Sequence, residues 1–451
     1  MSMARSTTES LCPVCLRRLT AERIPSGDAV ELVKTCPDHG TFRAVVWKGR
    51  PGLEAWRRPK TPAPIRPELK PSSRGCPFDC GLCREHRQRT CTVLLEVTRR
   101  CNLCCPVCFA DAGASDRADP HLDEIRGWFA AVRGMAAGSN IQLSGGEPTL
   151  RDDLPEIVAA GREAGFGFIQ LNTNGIRLAK EDRFVAALKH AGLASVFLQY
   201  DGTDDAVHLA LRGRALAVVK QRAVAACGRH GIGVVLVPTL VPGINTRGVG
   251  ELLKAAVRMA PLVRGVHFQP VAYFGRHPRS PGGGPRITLP ELMAAIEDQT
   301  AGMFHASEFR PPGCEHAWCS FHAQYLALPD GGVRWLKPSE APRGCCAPIA
   351  AETGALRTMA HVARQWAAPA GLQPSGAPET PASGPMSLEA FLDRARSHTF
   401  SVSAMAFQDV WTLDLERLRE CCIHVLDPRH GLVPFCAYNV TATGGRALYR
   451  R

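Results

Sequence analysis

The residues best equipped for chemistry are cysteines, and they fall in tight groups. The run Arg100-Cys101-Asn102-Leu103-Cys104-Cys105-Pro106-Val107-Cys108 contains CxxxCxxC through Cys101, Cys105 and Cys108. Three thiolates on one short loop suit three irons of a cuboidal [4Fe-4S] cluster and leave the fourth iron open, which implies chemistry rather than electron storage alone. A zinc knuckle, or a fully ligated ferredoxin cluster that adds Cys104, is the alternative use of the same spacing. Just upstream, Cys76, Cys80, Cys83 and Cys91 are spaced CxxxCxxCx7C, enough for a complete auxiliary [4Fe-4S] cluster or for a structural zinc. Near the start, Cys12-Pro13-Val14-Cys15 and Cys36-Pro37-Asp38-His39 offer three thiolates and an imidazole, a tetrahedral set for zinc or for a mononuclear, rubredoxin-like iron. Toward the end, Cys314, Cys319, Cys422 and Cys436 are expected to build a second auxiliary cluster. The doublets Cys345-Cys346 and Cys421-Cys422 make that choice ambiguous, and buried free thiols are the plainer reading. Cys227, alone on a predicted helix, reads as such a thiol.

Something must hold the open loop. From Thr92 onward, β-branched runs alternate with amphipathic stretches, the pattern of βα units around a parallel sheet. Six strands are expected, at 92–98, 140–146, 166–175, 195–202, 233–243 and 265–271, with helical patterns such as 121–137 and 214–231 between them. Six consecutive units suit an open doubly wound sheet or a partial barrel, and in both the site lies after the strand C-termini. The polar segments SGGEP, NTNG, QYDG and FQP fall there. Two Pro-rich stretches, 50–75 and 368–386, read as solvated linkers. The expected division is a head at 1–50, a linker and auxiliary-cluster motif at 51–91, an α/β domain at 92–300 and a C-terminal auxiliary-cluster region at 301–451.

With CxxxCxxC on the loop after the first strand and Ser144-Gly145-Gly146-Glu147-Pro148 ending the second, the chain resembles the radical S-adenosylmethionine (SAM) superfamily. The resemblance implies a partial (βα)6 barrel in which Cys101, Cys105 and Cys108 hold the catalytic cluster. It places Gly145, Gly146 and Glu147 at the methionyl ammonium of SAM, and Thr173, Asn174, Gln199 and Asp201 at its carboxylate or ribose. Turn and cap chemistry is the plainer use of those last residues. Arg212 and Arg214 are further partners for the carboxylate, or helix-start charges in water. Asp201, His267 and Gln269 are the candidates for acting on substrate, and a satisfied core histidine is as good a reading of His267. The string from Cys76 to Ala110, with the head CPVC and CPDHG, the segments QYDG and GVHFQP and the tail VPFCAYN, resembles a narrower branch. That branch contains archaeal-type dihydropterin methyltransferases, which draw the methyl from a methylene-folate, and tetraether lipid synthases. It implies reductive cleavage of SAM to a 5'-deoxyadenosyl radical, then C-methylation or carbon-carbon coupling of a pterin-like or lipid substrate. It also implies an external electron donor such as a ferredoxin or flavodoxin.

The whole chain fits these expectations. Its 451 residues bury a sizeable core without staples, and the 19 cysteines, odd in number and clustered, argue against a disulfide framework. No apolar run reaches the roughly 18–20 residues of a spanning helix. A soluble, cytoplasmic protein is expected, with surface contact to membrane open through the amphipathic stretch 386–400. The excess of 54 Lys and Arg over 42 Asp and Glu gives +12 and first suggests nucleic acid. Metal-bound thiolates would cut that excess by roughly half, so nucleic-acid binding is not favoured. A different class stays open: a redox sensor or electron carrier that binds nucleic acid. It needs neither GGEP nor an open cluster loop.

Overall fold

Alternation within the strands decides the architecture. The computed structural model describes residues 5–58, 60–63, 73–113, 118–278, 284–337, 349–369 and 387–450. Cys345, Cys346 and most of the second Pro-rich stretch lie outside them. In chain order the strands are β1 (Ser6–Leu11), β2 (Arg18–Ser26), β3 (Ala29–Cys36), β4 (Gly40–Lys48), β5 (Lys60–Thr61), β6 (Thr92–Thr98), β7 (Asn140–Gly145), β8 (Ile169–Thr173), β9 (Ser195–Gln199), β10 (Gly233–Val237), β11 (Thr239–Leu240), β12 (Val263–Pro270), β13 (Ser320–Ala327), β14 (Val333–Trp335), β15 (Ile349–Ala350), β16 (Thr399–Met405), β17 (Ile423–Asp427) and β18 (Gly431–Pro434). The helices are α1 (Leu122–Ala136), α2 (Leu154–Glu163), α3 (Asp182–His190), α4 (Asp205–Arg212), α5 (Ala217–Arg229), α6 (Val249–Arg258), α7 (Leu289–Gln299), α8 (Ala351–Trp366), α9 (Leu388–Ser397), α10 (Leu415–Arg419) and α11 (Phe435–Asn439).

The large sheet runs β14-β13-β16-β12-β10-β9-β8-β7-β6-β17-β18. Val93, Leu95, Ile141, Leu143, Ile169, Leu171, Val196, Leu198, Val234, Leu236, Val266 and Phe268 join one apolar core with helical residues such as Ile125, Phe129 and Val132. The residues between them, including Gln142, Ser144, Asn172, Gln199, His267 and Gln269, line a single cavity inside. Period-two alternation thus gives each strand an apolar outer face and a mostly polar inner one. One cavity touched by strands from β6 to β16 and by β13 requires the sheet to curl around it, and the result is a partial barrel.

The six expected strands are present in the expected order. Two features of the remainder add to that expectation. The C-terminal region joins the sheet: β16 pairs parallel with β12, and β17 pairs parallel with β6. Tail strands therefore extend the six-strand core at both edges. The first Pro-rich stretch is not simply solvated, because Leu53 and Trp56 are buried in the main core and Trp56 Nε1 lies 3.4 Å from the Ser320 carbonyl. An aromatic pair, Trp47 and Trp56 at 6.5 Å, outweighs the prolines around it. In 386–400, α9 starts at an N-cap in which Ser387 Oγ accepts the Ala390 N–H, but none of its residues is buried.

The head is a four-stranded antiparallel sheet, β1-β2-β3-β4, and it packs on the tail. Arg23 Nε donates to Asp414 Oδ2 at 2.8 Å, Ser10 Oγ to the Leu413 carbonyl at 2.5 Å and buried Lys34 Nζ to the Val410 carbonyl at 2.7 Å. Burial pushes Lys34 down to about 7.

Candidate functional site

The CxxxCxxC loop leaves β6 at the C-terminal end of the sheet, and Cys101, Cys105 and Cys108 all line the cavity. Cys104 is exposed and does not line it. The loop is stapled at its root: Gly146 N–H donates to the Thr98 carbonyl at 2.9 Å and Glu147 N–H to the Arg100 carbonyl at 2.8 Å. A Cβ on Gly145 would lie 2.1 Å from the Thr98 oxygen, and one on Gly146 would lie 2.1 Å from the Arg100 oxygen. Those glycines therefore serve the approach of β7 to the root of the cysteine loop.

Glu147 is buried and already engaged. Its Oε1 accepts from Thr149 N at 3.1 Å, Thr149 Oγ1 at 2.6 Å and Thr173 Oγ1 at 2.7 Å, and its Oε2 accepts from Asn174 N at 2.7 Å. Asn174 Nδ2 continues the chain of bonds to Asn102 Oδ1 in the cysteine loop, at 2.7 Å. The carboxylate thus ties the ends of β7 and β8 to the loop, beyond any charge it presents to a ligand.

Asp201, expected as a candidate to act on substrate, is held in a buried bidentate pair: Arg212 Nε donates to Oδ2 at 2.8 Å and Nη2 to Oδ1 at 2.7 Å. Gln199 Nε2 also donates to Asp201. Such a fork fixes both partners, so Arg212 is not free to pair with a ligand carboxylate through those atoms. Arg214 is exposed. The Arg212 charge opposes the effect of burial on Cys105, whose thiol is nonetheless pushed up, chiefly by desolvation. Burial together with Glu147, Cys105 and Cys108 pushes Cys101 up to about 11. The Cys101 and Cys105 thiols resist ionisation until a cation neutralises them, which is the donor chemistry an iron cluster satisfies.

Sequence reasoning missed Lys220. It is fully buried on α5, its Nζ donates to the Asn174 carbonyl at 2.6 Å and to Gln199 Oε1 at 3.2 Å, and desolvation pushes it down to about 7. A helical lysine reads as solvent-facing, and no spacing signals otherwise. The inner-face polar residues Gln142 and Asn172 were also missed, although they stand at alternate strand positions; Asn172 Oδ1 is buried without a partner among the described residues.

His267 lines the cavity midway along β12, packed against Phe197 at 5.4 Å and Trp366 at 5.9 Å, with Nδ1 2.9 Å from Ser403 Oγ. Burial pushes it down to about 4, so near neutral pH it is an uncharged wall residue. Gln269 also lines the cavity, whose volume is about 780 Å³, ample for SAM together with a small substrate.

Cys91 departs from the expected set. It immediately precedes β6, its N–H donates to the Cys422 carbonyl at 2.8 Å and its carbonyl accepts from Asn140 N at 2.8 Å. These bonds pin it to the N-terminal edge of the sheet, where it forms a disulfide with Cys314, and the sulfurs of Cys91, Cys314 and Cys422 lie within 4.8 Å of one another. Cys76, Cys80 and Cys83 are elsewhere, buried around a small pocket shared with Glu85, His86 and Arg419. There Glu85 Oε1 accepts the Cys76 N–H at 2.9 Å, and Tyr449 Oη accepts the Cys80 N–H at 3.0 Å. His86 Nε2 is buried with no partner among the described residues. Of the expected foursome, Cys314 and Cys422 sit with Cys91, while Arg417 Nη2 lies 3.5 Å from Cys319 Sγ, Cys319 is an electrostatic neighbour of both Cys421 and Cys422, and Cys436 is one of Cys421. Cys227 is buried on α5, its thiol pushed up to about 12.

In the head, Cys12, Cys15, Cys36 and His39 converge. Cys15 and Cys36 sulfurs are 3.9 Å apart, and His39 Nδ1 is 3.4 Å from Cys36 Sγ and 3.7 Å from Cys12 Sγ. The edge of a tetrahedron with metal–sulfur bonds of about 2.3 Å is about 3.8 Å, so this set fits zinc. Its neighbour His39 pulls the Cys36 thiol down to about 6.

A curled parallel sheet with a three-cysteine loop at its C-terminal end defines a class of enzyme, and sequence comparison agrees. The radical SAM superfamily matches residues 95–256, and the HMPTM N-terminal zinc ribbon domain matches residues 4–48. The chain is 31% identical to the 7,8-dihydro-6-hydroxymethylpterin dimethyltransferase of Methanocaldococcus jannaschii over 470 aligned positions, spanning 96% of this chain and 93% of that protein. A probable GTP 3',8-cyclase of Methanothermobacter thermautotrophicus is 35% identical over 116 residues, 26% of this chain and 37% of that protein. Among solved structures, Streptococcus suis SuiB aligns with a TM-score of 0.39 at 15% identity, covering 48% of this chain and 47% of that one. The chain belongs to the radical SAM superfamily and, within it, to the family of the dihydropterin dimethyltransferase. It is a radical SAM enzyme with an N-terminal zinc ribbon, and it uses SAM and a [4Fe-4S] cluster. Among the described residues, no helix is long and apolar enough to cross a membrane.

Proposed function

We propose that this enzyme C-methylates a pterin-like substrate within the barrel cavity. The observation that carries the reading is the near end-to-end likeness to the dihydropterin dimethyltransferase, head and tail included. Cys101, Cys105 and Cys108 are the cluster ligands, and Cys104 is not. When bound, the cluster and SAM supply a 5'-deoxyadenosyl radical able to take hydrogen from an unactivated carbon. The chain's own residues do the rest. The Gly145–Glu147 shelf, Thr173 and Asn174 fix the cysteine loop and give SAM its wall, and Gln199, held between Lys220 and Asp201, borders the same space. Asn172 Oδ1 and Gln269 offer hydrogen bonds to a polar heterocycle, and the Phe197–His267–Trp366 wall offers a flat apolar face. The cavity walls limit the approach of stray hydrogen donors.

Cys76, Cys80 and Cys83 hold an auxiliary cluster, with His86 Nε2 as the fourth donor. Cys91, Cys314 and Cys422, once reduced, are a second thiolate group at the opposite end of the barrel. An external low-potential donor such as a ferredoxin or flavodoxin supplies electrons.

The test is anaerobic. Reconstituted enzyme receives SAM, dithionite, a methylene-folate and 7,8-dihydro-6-hydroxymethylpterin, and 5'-deoxyadenosine and methylated pterin are measured by mass spectrometry beside Cys108→Ala. Both products from wild type and neither from the variant are expected. 5'-Deoxyadenosine without any methylated pterin overturns the substrate assignment.

A further inference from the structure

One wall of the cavity carries positive charge that nothing in the reaction described above uses. Arg310 and His322 face each other across an antiparallel bridge, with Arg310 N–H donating to the His322 carbonyl at 3.0 Å and His322 N–H to the Arg310 carbonyl at 3.0 Å. Cross-strand partners project to the same side, and both residues line the cavity. Helix α8 adds Arg357, which is exposed at the cavity's rim, and His361, four residues apart on one face. Arg58, from the first Pro-rich stretch, completes the group: a Cβ on Gly313 would lie 3.5 Å from Arg58 Nη1 and 3.4 Å from Thr358 Oγ1. That places the Arg58 guanidinium beside α8.

The three arginines have no direct ion pair among the described residues, although Glu315 acts on Arg58 from a distance. Among the described residues, no carboxylate oxygen lies within 4 Å of the guanidinium nitrogens of Arg58, Arg310 or Arg357, whereas Arg212 in the same cavity has its Asp201. The nearby acids are taken: Glu308 accepts from Tyr325 Oη at 2.9 Å, and Glu315 accepts from Ser320 Oγ and faces Cys422 Sγ at 3.6 Å. Among the described residues, Arg58 Nη1 has the Pro311 carbonyl at 3.4 Å, and Arg310 directs Nη1 toward the Ser307 and Phe309 carbonyls while its guanidinium lies 5.3 Å over the Trp335 ring. Neither His322 nor His361 has a side-chain hydrogen bond among the described residues. The like charges act on one another: burial and then Arg357 depress Arg58, with Glu315 opposing them, and His361, Arg58 and Arg310 all add to the burial that pushes His322 down to about 4. Guanidinium groups gathered in a cavity are unfavourable in isolation and favourable once an anion arrives. Their planar donor forks match phosphate and carboxylate oxygens.

We propose that Arg58, Arg310, Arg357, His322 and His361 form an anion subsite in the barrel cavity, which receives a phosphate or carboxylate group carried at one end of a substrate or carbon donor. The proposal rests on the reading of this cavity as the substrate chamber, and it adds that one occupant is anionic at a point remote from its reacting carbon.

The experiment uses the iron-loaded full chain under anaerobic conditions and measures binding by calorimetry with four probes: neutral 6-hydroxymethylpterin, folic acid with its two carboxylates, dihexanoylphosphatidylglycerol and its uncharged counterpart dihexanoylglycerol. Wild type is expected to bind an anionic probe at least about tenfold tighter than its neutral partner, a difference of about 1.4 kcal/mol. Arg58→Gln/Arg310→Gln is expected to erase that preference, while Arg310→Lys keeps most of it. Iron content and circular dichroism establish that the variants are folded. A preference for folic acid assigns the subsite to a carboxylate, and one for the phospholipid assigns it to a phosphate headgroup. Equal binding of charged and neutral probes by wild type, or a preference that survives in the double Gln variant, overturns the proposal. If the phospholipid binds in a charge-dependent way and neither pterin binds, the subsite stands and the pterin reading falls. If both pterins bind alike in every variant, the reverse holds.

Discussion

Adjacent cysteines in this chain have opposite fates, and the difference is geometric. Cys105 faces the cavity beside Arg212, whereas Cys104 points away and is exposed. Cys105→Ala is therefore expected to abolish 5'-deoxyadenosine formation and to lower iron by one cluster per chain, while Cys104→Ala retains more than half of wild-type activity. Equal loss in two folded variants would refute the ligand assignment. His86 poses a sharper question, because sequence spacing proposed Cys91 as the fourth donor beside Cys76, Cys80 and Cys83. The seven-residue gap that separates Cys91 from Cys83 is long enough for the chain to leave the pocket, and β6 pairing carries Cys91 away. The unpartnered His86 nitrogen stays behind. Pulsed electron paramagnetic resonance of the reduced auxiliary centre should show a strongly coupled nitrogen in wild type that vanishes in His86→Ala and in His86→Cys. A spectrum unchanged in both variants would rule out nitrogen ligation. Local spacing made the three-thiol loop and the zinc set legible, since all their ligands lie within a few residues of a turn. The Cys91–Cys314–Cys422 group was illegible as a unit because tertiary pairing alone brings those positions together.

At the scale of elements, the strands of the barrel were readable because each carries its own alternation, and the helices because apolar residues recur at helical spacing, as Ile125, Phe129, Val132 and Ala136 do on α1. The flanking strands β16 and β17 were not, since a short tail strand gives no sign of which distant strand it will pair with. The junction of β7 with the cysteine loop shows how an element transmits to the site. A Cβ at position 146 would meet backbone oxygens and the carbonyl carbon of Arg100, none of which yields as a flexible side chain would. Gly146→Ala must therefore move β7 away from residues 98–100 and break the staple formed by the Gly146 and Glu147 N–H groups. Strain of this kind typically costs about 1–3 kcal/mol. We expect a lower melting temperature together with a deficit of iron at the three-cysteine loop. Zinc in the head should be unchanged, as measured by metal analysis of the same preparation. A variant with full iron and wild-type SAM cleavage would show that the close approach is dispensable.

At the scale of the whole molecule, the zinc ribbon is a brace for the tail rather than an independent module. Asp414 caps α10 through its bond from Glu416 N at 3.1 Å, and the same carboxylate accepts from Arg23 Nε at 2.8 Å and from Thr8 Oγ1 at 2.7 Å. Arg23 is 5% exposed there. Just beyond, Arg419 Nη2 bridges Glu9 at 2.6 Å and Glu85 at 3.0 Å, joining the head, the α10 region and the Cys76–Cys83 segment. Removing one member of a buried pair costs about 3–5 kcal/mol when it strands the other. Here Arg23 Nη2 keeps Glu416 Oε2 at 2.6 Å, so the loss is that of one charge-assisted pair and a cap, about 1–3 kcal/mol. Asp414→Ala is accordingly expected to lower urea stability by an amount in that range and to raise proteolysis in the first Pro-rich stretch. Arg23→Met/Asp414→Leu should recover most of the loss. Because α10 carries Arg417 and Arg419 toward two separate cysteine groups, the single variant should also shed auxiliary iron faster than it loses the SAM-binding loop. A cost below about 1 kcal/mol, or iron retained at both sites, would mean that the head rides on the barrel without supporting it.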